Sequence, residues 1–91
     1  MSRYFFHCTD NVRDLDREGT VMADDAAAEV AAIAFAGETL KHSPKLLREK
    51  GQWRVEVTDQ QGALLYTVIT IAVDAPKPGS FPAIAGTASN D

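Results

Sequence analysis

The chain holds a single cysteine, Cys8, among 91 residues, so no disulfide can form within it, and no Cys/His zinc pattern is present. No apolar run approaches the ~20 residues needed to cross a bilayer. The most apolar stretch, Ala26 to Gly37, is too short and carries Glu29. No basic segment followed by an apolar one opens the sequence, so no secretory signal is expected. Surplus positive charge is missing as well: nine Lys and Arg face thirteen Asp and Glu, a net charge of −4. The longest basic stretch, Lys41 to Lys50, is diluted by apolar residues, which makes nucleic acid an unlikely partner. These absences set the expectations of a reducing, cytoplasmic location, no membrane contact and no cofactor.

What is present suits one small domain. Residues 74–91 are rich in proline and small residues without period, and are expected to form a disordered tail, the alternative being that Ser80-Phe81-Pro82-Ala83-Ile84 lies across the open sheet face. The core must then come from residues 1–73, near the size at which one hydrophobic core becomes marginal. With disulfide and zinc gone, association with a second subunit is the remaining common remedy. A homodimer or an unknown protein partner is therefore expected.

Period-2 alternation in Arg3 to Thr9 places Tyr4, Phe6 and Cys8 on a core face and Arg3, Phe5 and His7 on the other. A polar connection, 10–18, leads to a short returning strand at 19–22, with Gly19 as a turn residue. Asp24 is a good N-cap for a helix over Asp25 to His42, which Ser43-Pro44 ends. At 100° per residue, Ala26, Val30, Ile33, Gly37 and Leu40 share a stripe, read as the core face. Ala28, Ala31, Ala32 and Phe35 fall on the back, a low-relief surface suited to a partner helix. Lys45 to Gly51 is ambiguous between helix and packed loop. Gln52 to Thr58 is a strand with Trp53, Val55 and Val57 inward, and a turn at Asp59 to Gly62 precedes a last strand, 63–73. That strand is apolar on both faces, with Leu64, Tyr66 and Val68 on one and Leu65, Ile69 and Ile71 on the other, which suggests a central strand covered twice. The expected fold is α+β: a four-stranded antiparallel sheet, β-β-α-β-β, with one long helix on one face.

Candidate chemistry is sparse. Asp14, Asp16, Glu18 and Gly19 match the first half of a calcium loop, with Asp25 twelfth from Asp14. The match is weakened by Glu at the fifth position, by a short closing Asp and by the lack of a preceding helix, so a solvated acidic hairpin is the preferred reading. His7 and Cys8 are strand neighbours and point to opposite faces, so they cannot act as a nucleophile–base pair. No catalytic residue is assigned. The residues expected at an interface are Phe5, His7, Phe35, Leu65 and Ile69, with His7 facing an acidic neighbour across the sheet.

Several segments in this order and spacing resemble a known family: Arg3-Tyr4-Phe5-Phe6-His7, an acidic loop closing on Glu18-Gly19, an Asp24-led alanine-rich helix, Val55-Glu56-Val57-Thr58-Asp59, and Gly62-Ala63-Leu64-Leu65. The resemblance spans roughly residues 3 to 73. It is to small domains found mainly in alphaproteobacteria and known only as a domain of unknown function. It implies the fold and a bacterial setting, and it brings no activity.

Overall fold

In the computed structural model, which describes residues 1–9 and 13–75, the aromatic opening segment forms β1 (Ser2–Thr9), an inner strand of an antiparallel sheet. The next two strands, β2 (Arg13–Asp14) and β3 (Thr20–Met22), both pair antiparallel with β1. β2 lies opposite Cys8 and Thr9, and β3 opposite Ser2 to Tyr4. The returning strand expected at 19–22 is β3, while β2 is an additional strand within the expected polar connection, parted from β3 by residues 15–19. The sheet has five strands rather than four.

Asp24 caps helix α1 (Asp25–His42), accepting the Ala27 N–H at 2.9 Å. The Ser43 N–H closes the last turn on the Thr39 carbonyl at 2.8 Å, and Pro44 follows. The helix bounds are those expected. The ambiguous segment folds as a short second helix, α2 (Lys45–Lys50), ended by Gly51 at φ 77°. β4 (Gln52–Thr58) then pairs with β1 from Phe5 opposite Thr58 to Thr9 opposite Arg54. In the following turn the Asp59 carboxylate accepts the N–H groups of Gln61 and Ala63, both at 2.9 Å. The chain returns as β5 (Leu64–Ile71) along the outer side of β4. The Tyr4 hydroxyl donates to Asp25 Oδ1 at 2.7 Å, tying β1 to the start of α1. That bond to a carboxylate, with burial, holds the Tyr4 phenol above its ordinary pKa.

The core consists of Tyr4, Trp53, Val55 and Val57 from the sheet against Ala28, Ala32 and Ala36 from α1. Phe6, Cys8, Tyr66 and Val68 pack around it, so the inward faces of β1 and β4 are as expected. Leu40 of the expected stripe packs against the core, but the rest of the helix is turned the other way. Val30 is 67% exposed and Ile33 53%, while Ala32 is fully buried. The cause is the evenness of the helix: small apolar residues run all round it, so the stripe of larger ones carries little directional information. The sheet decides instead. Tyr4 and Trp53 fill the space between the layers, and only a flat alanine face lets the helix approach them at close-packed density.

Gly37 shares this correction. The stripe places it on the core face, yet it is exposed, and a Cβ added there would meet nothing within 4 Å. Gly37→Ala is therefore expected to stabilise the domain by about 0.5–1 kcal/mol, through helix propensity and a less flexible unfolded chain. Urea titration of the two proteins measures it.

β5 is not central. The strand order β2-β1-β4-β5 leaves it at an edge. Its helix-facing residues Tyr66 and Val68 are half-buried, but Ile69 is 51% exposed and Ile71 62%. Apolar residues on both faces here mark one covered face and one open one. A register shift between Val57 and Thr58 sets Leu64 opposite Thr58. Leu64 accordingly joins the open face, not that of Tyr66 and Val68. Asp74 and Ala75 are exposed; the remainder of the expected tail, 76–91, lies outside the described residues.

Candidate functional site

Alternation in β1, β4 and β5 sends a second set of side chains to the face that no helix covers. Its centre is polar. His7 lies opposite Glu56, which lies opposite Thr67. The His7 ring lies parallel to Phe5, centroids 6.4 Å apart and planes inclined by 6°. Its Nε2 is 3.0 Å from the Thr58 hydroxyl, and its Nδ1 accepts the backbone N–H of Asp16 at 3.0 Å. A nitrogen that accepts carries no proton, so in the neutral ring Nε2 bears the hydrogen and donates it to Thr58. The expected acidic neighbour is thus in register with His7, while the ring's hydrogen bonds go elsewhere.

Glu56 gathers the charges. Its carboxylate lies 3.3 Å from Arg13 Nη2 and 3.9 Å from Arg54 Nε, and the Thr9 hydroxyl donates to it at 3.4 Å. Arg13 is well exposed, so this pairing adds little stability. A shallow concavity of ≈ 340 Å³ is lined by His7, Arg13, Leu15, Glu56, Thr58 and Leu64. Around the polar centre stand Phe5, Leu64, Ile69 and Ile71.

Asp16 has a role the sequence did not disclose. Its carboxylate accepts the N–H of Phe6 at 3.1 Å and those of Glu18 and Gly19 at 3.0 Å each. The break between β2 and β3 deprives Phe6 of a ladder partner on that side, and a side chain supplies one. Partial burial alone would raise the Asp16 pKa. The three backbone donors, Gly19 first, then Phe6 and Glu18, outweigh it and bring the value down. A lowered folded value means stability that is present above the unfolded value of about 3.9 and lost as pH falls through the folded one. Asp16→Ala is expected to cost about 2–3 kcal/mol at neutral pH by leaving these donors unpaired. Asp16→Asn should keep the two bonds to one oxygen and flatten the acid side of the stability profile. Denaturant titrations from neutral pH to pH 3 measure both.

The calcium candidates are not brought together. Asp14 is exposed in β2, Asp16 is engaged as described, Glu18 is exposed, and Asp25 accepts from Tyr4. Among the described residues no group of three or more His, Cys, Asp and Glu is placed to hold a metal ion. The interface candidates divide. Phe5, His7 and Ile69 are on the open sheet face, and Leu65 is the extra residue at the register shift, 37% exposed. Phe35 sits instead on the helix side, at the rim of an apolar concavity of ≈ 370 Å³ with Phe6, Thr20, Met22 and Ala31. Phe35 lies with Ala28, Ala31 and Ala32 on the back as grouped, at its rim. That back is the buried alanine face.

The family model described as Domain of unknown function (DUF6894) matches residues 3–72. The chain belongs to this family. The DUF6894 match runs from the second residue of β1 to just past β5, so both sheet faces and α1 lie within it. No curated protein and no solved structure matches the chain. No described helix is long and apolar enough to cross a membrane.

Proposed function

We propose that this DUF6894 domain is a protein–protein interaction module that associates with itself and has no chemistry of its own. The observation that carries the reading is apolar surface left outside by the fold: Leu64, Ile69 and Ile71 are exposed, and Phe5 is half-buried, on a sheet face that no described helix covers. One helix shields one side of a sheet, and a domain this small has little core to spare. Exposed large apolar residues gathered on one face mark a surface that another protein covers. The titratable groups nearby have structural work: His7 is held by Thr58 and Asp16, and Glu56 by Thr9 and two arginines. The single thiol suits work in a reducing cytoplasm.

Size-exclusion chromatography with light scattering tests the proposal on the full chain. The expected mass is twice 9.8 kDa at micromolar concentration. Phe5→Ser with Ile69→Ser should move the equilibrium toward monomer while the circular dichroism stays the same. A monomer at every concentration would remove the self-association.

A further inference from the structure

Two copies can meet through a face or through an edge of the sheet, and the two edges differ. A sheet edge exposes unpaired N–H and C=O groups, and proteins normally blunt it with short strands, charges, proline or a break. On the β1 side short strands, charges and a break are all in place. β2 has two residues, both charged, β3 has three, and the gap between them is filled by the Asp16 loop. The β5 side has none. From Ala63 to Val73 there is no charge, no proline and no glycine, in a chain that is 24% charged. The eight residues of β5 have no neighbour beyond them among the described residues.

We infer that β5 is the strand through which two copies join, pairing antiparallel with the β5 of a second copy to make one continuous sheet. An exposed row of backbone groups calls for an extended strand as occupant. The absence of charge says which strand. Two β5 segments meeting about a two-fold axis bring uncharged side chains opposite uncharged side chains whichever residue the axis passes, so no ion is desolvated and no like charges face each other. The chain's own continuation fits less well. Pro76, Pro78 and Pro82 lack the N–H that a ladder requires. Joining also sets the open faces of the two copies side by side, so Ile69 and Ile71 continue into the same residues of the partner. This geometry rests on the self-association reading and goes beyond it, since two copies could equally meet face to face.

Hydrogen exchange on the full chain, read amide by amide, separates the possibilities. In an unpaired edge strand protection alternates, because every second amide bonds to β4 and the others meet water. The expected result is a dimer by light scattering in which consecutive amides from Tyr66 to Ile71 are all protected. Ile69→Lys combined with Ile71→Lys, both at exposed positions, should weaken the dimer about tenfold or more and restore the alternation. A dimer that keeps alternating protection would overturn the strand pairing and leave the self-association reading intact. A monomer with alternating protection would overturn both. A monomer with every β5 amide protected would also overturn the inference, since the strand would then be covered by the chain itself.

Discussion

Replacing Ala32 by leucine should cost the domain about 3 kcal/mol, the upper part of the range for overpacking a filled core. Ala32 is fully buried between α1 and the sheet, with Ala28 and Ala36 one turn to either side. Three added carbons have nowhere to go. Tyr4, Trp53, Val55 and Val57 lie across from the helix and are themselves buried, so the helix must lift or the side chain must leave its rotamer. A domain with so small a core has stability near the low end of the usual 5–15 kcal/mol, and such a loss would populate the unfolded state visibly. Val30→Lys is the counterpart, on the exposed side of α1, and should change stability by less than about 0.5 kcal/mol. Urea denaturation of both variants measures the difference. The opposite order, a tolerated leucine at Ala32 and a damaging lysine at Val30, would restore the helix orientation that the pattern of larger residues suggests.

Gly19→Ala should be about as damaging, with an expected loss of about 2–4 kcal/mol. Two causes coincide there. The backbone stands at φ 74°, which an L side chain rarely adopts. A Cβ would also meet the Tyr4 carbonyl, Arg3 Cγ and Phe5 Cε2, each at 2.9 Å. The arginine could move aside, but the carbonyl belongs to β1 and cannot shift without disturbing the strand. The change should also loosen the Asp16 loop, because the Gly19 N–H is one of the donors to its carboxylate. Thermal unfolding and the amide chemical shifts of Phe6 and Gly19 together distinguish a local opening of the loop from a global loss. Unchanged stability would mean that the loop does not lie against β1.

The elements were legible wherever local chemistry specifies them. Asp24 and Pro44 bracket α1, alternation in β4 puts Trp53, Val55 and Val57 inward, and Asp59 with Gly62 closes the last turn. What failed was information that is not local. The face of α1 is set by the bulk of Tyr4 and Trp53 across the layer, which a helix of nearly uniform alanine does not record. The edge position of β5 follows from β1 lying beside β4, a pairing between residues about fifty positions apart. The face of Leu64 depends on one irregular step in the register, which no composition reveals.

The site was legible in part for the same reason. Phe5, His7 and Ile69 belong to the open face by simple alternation, and Arg54, Glu56 and Thr58 could have joined them had the pairing of β1 with β4 been known. Asp16 read as an acidic loop residue because the sequence shows its charge and not the Phe6 N–H waiting at the break in the return strand. Of the residues in the calcium pattern, Asp16 accepts backbone donors, a role that its spacing does not record. Phe35 was grouped rightly with the alanine back, but that back faces the sheet, and its position is the rim beside Phe6 and Met22.

The central question is whether a second copy covers the unguarded β5 edge. Sedimentation equilibrium of the full chain through the micromolar range tests that most directly. A single reversible monomer–dimer equilibrium, shifted to monomer by Ile69→Lys with Ile71→Lys, is the predicted result. One 9.8 kDa species at every concentration, unaffected by those substitutions, would contradict it.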